Sequence, residues 1–419
     1  MDKYKIDSVN FDDIKNDEYW NFGDFKEDKM HSIHAYPAKF PAFIATKAIS
    51  YAKKKGVNVN RIGDIFCGCG TVAYESAKEG IHFWGCDINP VAALIARVKS
   101  KKLDNDILEE KFVEIKKQYH SLIYNPAENY INPRIVYWFE EQNIIELRKI
   151  LLSIDKVCGF NPDYKNFFLC AFSNILKSTS RWLTKSIKPT VDRNKIVKSP
   201  FKQFEIQFNK MAVANHESLI KRDIEIDILT QNSLNLNNKN KLDLLITSPP
   251  YVTSYEYADL HQLSILWLNF SDDYREFRKN TIGSLYKNEL ESNTPLNKIG
   301  EMVLEELICS KFQNSRTMAI RKYYEDMQLI TMKSYGLLNK GGIALFVIGN
   351  TEYNGIRIRN AEHLALSMSE IGFVDIEITK RKISNKILTP YRDTNGRFTK
   401  VDSGKKIYSE EFIITGRKS

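Results

Sequence analysis

The chain has 419 residues, 43% of them apolar, and a net charge of +9. That length supports one large α/β core with inserted or appended modules. No stretch approaches the roughly 20 apolar residues of a membrane span. Residues 1–30 are too polar and acidic for a secretory signal, and the cysteines lack framework spacing, so a reduced, cytosolic (cytoplasmic) protein is expected.

Residues 41–55 carry a helical period, with Phe43, Ile44, Lys47, Ala48 and Tyr51 on one side and Gly56 as a stop signal. A buried strand is predicted over 61–67, a helix over 71–79, a second strand over 82–88, and a helix over 91–99 opened by Pro90. This βαβα run is the pattern of a parallel sheet. It breaks over 101–222, which reads as helix and loop. Within that stretch lie Lys177, Arg181, Lys185, Lys188, Arg193, Lys195, Lys198, Lys202, Lys210, Lys221 and Arg222, against the acids Asp192, Glu205 and Glu217. Such a segment suits a polyanion, and a solvated lysine-rich surface explains the charge equally well.

Strand signals return at 224–230 and 242–247, separated by a short Asn-rich polar loop at 232–240. A helix is predicted over 319–338, with Ile320, Tyr323, Tyr324, Met327 and Ile330 on one face. Gly341-Gly342 leads into a strand at 343–348, and a helix over 361–371 stops at Gly372. Strands at 373–383 and 411–415 follow. Asn395-Gly396 lies between them, a turn dipeptide that makes this final pair antiparallel.

Two constellations carry chemistry. The turn at 64–71 reads DIFCGCGT, and with Ala73 it fits G-x-G-x-x-A. Gly68 and Gly70 allow a tight turn and close approach to a ligand, and Asp87 ends the next strand, where an acid can hold ribose hydroxyls. A glycine fingerprint in this setting means a nucleotide, and a nicotinamide dehydrogenase would still satisfy it. The second is 242–251, LDLLITSPPY, an apolar strand running into a rigid polar-aromatic turn. Pro249 and Pro250 fix φ and remove two backbone donors, so nearby carbonyls are free to accept from an amino group. Ser248 adds an acceptor, and Tyr251 offers a face for a base, worth ~1–3 kcal/mol. Hydride transfer has no use for this set.

With both motifs in place, the chain resembles the amino-group DNA methyltransferases, and within them the cytosine-N4-specific branch marked by Ser-Pro-Pro-Tyr (the TSPPY motif). Phe66, Gly68 and Gly70 match the family's F-x-G-x-G loop, and Ser248, Pro249, Pro250 and Tyr251 its catalytic motif. The segment 34–40, HAYPAKF, resembles its upstream cofactor-contacting segment, and the likeness extends over roughly 31–100 and 223–419, including RKNTIGS at 278–284. Many adenine-specific relatives carry Asp or Asn where Ser248 stands.

The resemblance implies an α/β, class I S-adenosylmethionine-dependent methyltransferase fold, Rossmann-like, with about seven mostly parallel strands and the last one reversed. It implies S-adenosyl-L-methionine as cofactor, contacted by Tyr36, Pro37, Lys39, Asp64, Phe66, Gly68, Gly70, Thr71, Asp87, Ile88 and Asn232. Asn232, through its amide oxygen, stands where the family usually has an acid. The implied substrate is duplex DNA with a flipped cytosine, in a restriction-modification or related defence setting that admits a cognate restriction endonuclease. The alternatives are an adenine-N6 enzyme, an RNA base methyltransferase, or a catalytically silent nucleic-acid-binding module.

The organisation expected is an acidic arm at 1–30, a first core part at 31–100, a mainly helical basic insertion at 101–222, and a second core part at 223–419. The insertion is the leading candidate for target recognition, through Arg181, Lys185, Lys188, Arg193 and Lys195, with 256–318 second. Trp182 is read as half-buried core before base stacking. Arg381, Lys386 and Arg392 are candidates for phosphate contact, and His34 for lining the cofactor site, whereas His261 is read as packing. Cys67, Cys69 and Cys86 lack zinc spacing and are read as buried thiols, and no metal is required. No Pro-Cys pair occurs, so a covalent cysteine mechanism is not expected.

Overall fold

The computed structural model describes residues 6, 9–23, 25–37, 39–125, 130–221, 223–237, 241–252, 257–285, 295–310, 314–383, 391–392, 398–399 and 410–419. A seven-stranded sheet is formed by β1 (Arg61–Asp64), β2 (His82–Asp87), β3 (Ile226–Thr230), β4 (Leu242–Thr247), β5 (Leu338–Ile348), β6 (Phe373–Lys382) and β7 (Glu410–Lys418). The spatial order is β3-β2-β1-β4-β5-β7-β6. The first five strands pair in parallel, and β7 runs antiparallel to both β5 and β6. The expected reversal of the last strand is therefore observed, while Asn395-Gly396 lies outside the described residues.

Alternation along the strands sorts the apolar side chains into two faces. Leu244, Ile246, Leu345, Val347 and Ile413 join α1 (Ala42–Lys54) and α2 (Thr71–Glu79) in one cluster. Leu245, Ala344, Phe346, Phe412 and Ile414 join α11 (Lys298–Cys309), α12 (Ser315–Leu337) and α13 (Asn360–Ile371) in another. Between α2 and the second half of the sheet lie α3 (Pro90–Lys99), α4 (Asn105–Ser121), α5 (Pro133–Trp138), α6 (Glu141–Cys158), α7 (Pro162–Ile175) and α8 (Pro200–His216). Two short helices, α9 (Tyr257–Leu260) and α10 (Gln262–Trp267), follow β4.

A third cluster runs from Val91, Leu94 and Ile95 of α3 through Phe112, Trp138, Leu147, Phe168 and Phe204 to Leu263 and Trp267 of α10. The helices α4–α8 thus share their core with α3, the helix that follows β2 and Asp87. The N-terminal segment lies along the sheet's edge: Asp17 N–H donates to the Lys380 carbonyl at 2.9 Å, and Phe11 packs on Phe412 at 5.3 Å. A covered edge strand is protected from pairing with another chain.

Two of the boundaries that depart from the sequence pattern have a visible local cause. β1 stops at Asp64 because its carboxylate accepts the Phe66 N–H at 3.0 Å and turns the chain. β5 begins five residues early and takes in the glycine pair, with Gly341 at φ +79° beside a register shift against β4.

Candidate active site

The parallel strands end on one edge, and the glycine turn forms there. Gly68 and Gly70 have φ of +50° and +75°, which favour glycine. A Cβ on Gly70 would lie 2.6 Å from the Ala96 Cα, so its bareness lets the turn pack on α3. A Cβ on Gly68 would meet the Tyr36 ring at 3.6 Å, so this position faces that ring. Asp87 fixes the turn, accepting the N–H of Gly68 and of Asn89, each at 2.8 Å. Burial pushes its carboxyl up to about 6, partly offset by those two N–H groups. Asp64 is pushed up to about 7, again chiefly by burial, while Thr247 and the Phe66 N–H pull it down. Thr71 is buried at the start of α2, and Ile88 and Phe66 are half-buried.

Aromatic rings roof the turn. Tyr36 stacks on His261 at 5.1 Å and faces Tyr257 at 6.5 Å. The tautomer of His261 follows from its partner. Asn89 uses its amide oxygen to cap α3 at Val91 N–H, so its NH₂ must be what meets His261 Nδ1 at 2.7 Å. That ring nitrogen accepts, leaving the proton on Nε2. Burial holds the imidazole down at about 4, in agreement with a neutral ring. His261, read as packing, therefore also supports the Tyr36 ring beside the glycine turn. His34 turns away from the glycine turn to Ser173 of α7, 3.0 Å from its hydroxyl. Pro37 is half-buried, and Lys39 pairs with Glu27 at 2.5 Å. The Asn232 amide oxygen accepts Leu234 N–H at 3.0 Å and its NH₂ donates to the Asn280 carbonyl at 2.9 Å, which joins it to the 278–284 segment.

The second motif sits beside the first. The Thr247 hydroxyl donates to Asp64 at 2.6 Å, linking the ends of β4 and β1. The Ser248 hydroxyl donates to the Val347 carbonyl on β5 at 2.9 Å. Its proton is thereby committed, and what it offers outward is lone pairs. Pro249 is buried, while Pro250 and Tyr251 are half-buried. The Tyr251 phenol donates to Glu411 Oε1 at 3.2 Å, and Glu411 is ion-paired with Arg381. Burial, and then Glu411, hold that phenol well above its ordinary range.

Arg381 is only 3% exposed, which corrects the expectation that it reaches phosphates: its charge is engaged inside the fold. Lys386 and the side chain of Arg392 lie outside the described residues. Glu411 escaped the sequence reading, although a reversed last strand necessarily starts at the edge where the parallel strands end.

The basic segment is built around a buried tryptophan. Trp182 is 2% exposed and stacks on Trp138 at 5.1 Å, so it is core and not a free platform for a base. It bridges to Val191, and Leu183 N–H donates to the Thr190 carbonyl at 2.8 Å. The resulting loop presents exposed Lys185 and Lys188, with exposed Arg193 beyond it and half-buried Arg181 before it. Lys195 points inward instead. Its ammonium donates to the carbonyls of Lys177 and Trp182, both at 2.7 Å, and burial pulls it down to about 8. Arg222 lies outside the described residues. Cys67, Cys69, Cys86, Cys158 and Cys170 are buried and unpaired, whereas Cys309 is exposed.

This sheet order, with its one reversed strand, the glycine turn after β1 and the acid ending β2, is the class I S-adenosylmethionine-dependent methyltransferase fold. Among the described residues no helix is long and apolar enough to cross a membrane. No family model matches the chain. It is similar to the type II methyltransferase M.MvaI of Kocuria varians, 24% identical over 430 residues that cover 92% of this chain and 91% of that protein. It is also similar to the type II methyltransferase M.AvaI of Nostoc sp., 23% identical over 379 residues that cover 81% and 78%. The solved rRNA methyltransferase aviRa from Streptomyces viridochromogenes is 8% identical with a TM-score of 0.29, over 92% of this chain and 88% of that one.

Proposed function

We propose that this chain is a DNA methyltransferase that methylates the exocyclic N4 amino group of a flipped-out cytosine at a defined site. The observation that carries it is the Thr247–Asp64 hydrogen bond, which sets the Ser248-Pro249-Pro250-Tyr251 turn against the glycine turn. Two relatives named type II methyltransferases, aligned over most of their length, support a restriction-modification setting, which admits a cognate restriction endonuclease as a partner.

The residues present fit S-adenosyl-L-methionine. The Gly68 position faces the Tyr36 ring, Asp87 is a half-buried acid with lone pairs to spare, and Phe66, Thr71, Ile88, Pro37 and Asn232 would frame the cofactor. Asp64 anchors the turn from below, and Lys39 braces the 34–40 segment through Glu27. When bound, the cofactor supplies an electrophilic methyl group.

The chain's own residues handle the base. A duplex hides an amino nitrogen, so the base must leave the stack at a cost of about a few kcal/mol. The Tyr251 ring receives it. The amino lone pair is delocalised into the base and must be localised and aimed. Ser248, its own proton held by Val347, can only accept, as can the Pro249 carbonyl. A pair of acceptors suits an amino group and repels a carbonyl oxygen. Lys185, Lys188, Arg193 and Arg181 contact the phosphates. Positioning in a fixed polar environment provides the acceleration.

The test is to digest DNA treated with the enzyme and cofactor and identify the modified nucleoside by mass spectrometry. N4-methylcytidine is expected in its deoxy form. An N6-methyladenine product would overturn the base assignment, and a product on RNA alone would overturn the polymer.

A further inference from the structure

We propose that Glu411, clamped by the buried guanidinium of Arg381, is a positioning residue that holds the Tyr251 ring where the base must land. This rests on the reading of Tyr251 as the base's platform. Glu411 and Arg381 face each other across β7 and β6 and form an ion pair, with side-chain exposures of 17% and 4%. The guanidinium lies 5.6 Å over the Phe43 ring, and its Nε has no hydrogen-bond partner among the described residues. A buried ion pair with a donor left unmet is poor ground for stability, since apolar residues of similar volume often do as well or better. What it does accomplish is geometric. It fixes one carboxylate at the end of the sheet, and that carboxylate accepts the Tyr251 phenol proton at 3.2 Å.

The ring needs such a tether because of how it is held. Tyr251 follows two prolines in a turn and is only half-buried. Its aromatic body packs at the margin of the core formed with α12 and α13. One hydrogen bond at the tip restricts the swing of the ring about its two side-chain torsions. The constraint comes from the antiparallel strand β7, whose first residues arrive at the edge where β4 ends. A misplacement of about 1 Å can reduce a rate by about 10²-fold, so a tether of this kind has consequences for turnover.

The experiment uses the full chain and single-turnover transfer of labelled methyl to duplex DNA, with DNA and cofactor saturating. Tyr251→Phe and Glu411→Ala should each lower the rate about tenfold with DNA affinity little changed; Tyr251→Phe should keep the wild-type thermal midpoint, whereas Glu411→Ala leaves the buried Arg381 guanidinium unpaired and should lower it. The double variant should fall no further, because both changes remove one contact. Glu411→Gln keeps an oxygen for the phenol and should recover to within about threefold of wild type. Wild-type rates in Tyr251→Phe and Glu411→Ala would overturn the proposal. So would multiplied losses in the double variant, or a Glu411→Gln as slow as Glu411→Ala. Should Glu411→Ala fail to fold, Tyr251→Phe and Glu411→Gln decide the matter. Tyr251→Ala separates the two readings. If it transfers at the wild-type rate, the platform itself is wrong; if it is inactive while Tyr251→Phe is normal, only the tether is wrong.

Discussion

Thr247, the last residue of β4, donates its hydroxyl to the carboxylate of Asp64, the last residue of β1, at 2.6 Å. Both side chains are buried, so this one bond couples the Ser248-Pro249-Pro250-Tyr251 turn to the glycine turn. Thr247→Val keeps the shape and removes the donor. A buried carboxylate losing a partner costs about 1–3 kcal/mol. Urea unfolding should register that loss, and single-turnover methyl transfer should slow as well. A variant with unchanged stability and rate would show that the two turns are held by their backbones alone.

The acids at this edge make stability depend on pH. Asp64 and Asp87 are pushed up to about 7 and about 6 from the ordinary carboxyl value of 3.8. Raised carboxyls mean that the folded state binds more protons than the unfolded one between those values. Their contribution is fully present below about 3.8 and is lost as pH rises through about 6 and then about 7. Asp87→Asn and Asp64→Asn should therefore gain thermal midpoint relative to wild type as pH rises across this window. Parallel midpoint curves for variant and wild type would contradict the assigned burial.

Gly70 tests the glycine turn without touching a charge. Its φ is +75° and a Cβ would lie 2.6 Å from both Cα and Cβ of Ala96. Gly70→Ala should destabilise the fold by about 1–3 kcal/mol through overpacking, and shift α2 against α3. Calorimetric binding of S-adenosylmethionine should weaken in the same variant. Asp87→Ala should weaken it too, by about 1–3 kcal/mol, with the fold retained. Unchanged affinity in Asp87→Ala would remove that residue from the site.

What could be read from the sequence was what is local. The βαβα run, the glycine turn and Ser248-Pro249-Pro250-Tyr251 are each set by neighbours within a few residues, and they fall at the ends of β1 and β4 as expected. The partners of these residues were not legible. Glu411 reaches Tyr251 across 160 positions, and His261 meets Asn89 across 172. Such contacts depend on strand order and helix placement, which no short pattern encodes. Side-chain direction was lost for the same reason: Lys195 and Arg381 count as charges in a sequence, yet one is folded onto carbonyls and the other onto Glu411.

The DNA-facing prediction changes with that geometry. Lys185 and Lys188 stand exposed on the loop closed by the Trp182–Val191 bridge, with Arg193 exposed beside it. If these three meet phosphates, their replacement by Ala should weaken binding to every sequence. Each phosphate contact contributes about −0.9 to the slope of log K against log[salt], so the triple variant should flatten that slope by about two to three units. Lys195→Ala should behave differently. Its ammonium holds the carbonyls of Lys177 and Trp182 together, so its loss should lower the thermal midpoint and leave the salt slope nearly intact. Trp182→Ala should lower the midpoint further, by about 3–5 kcal/mol of stability, since it empties the stack on Trp138. Filter binding or fluorescence anisotropy across a salt series gives affinity and slope, and thermal unfolding of the same samples gives the midpoint. A triple variant that keeps its slope would place the phosphate contacts elsewhere, and 257–285 would be the next surface to replace, beginning with Arg275 and Lys279.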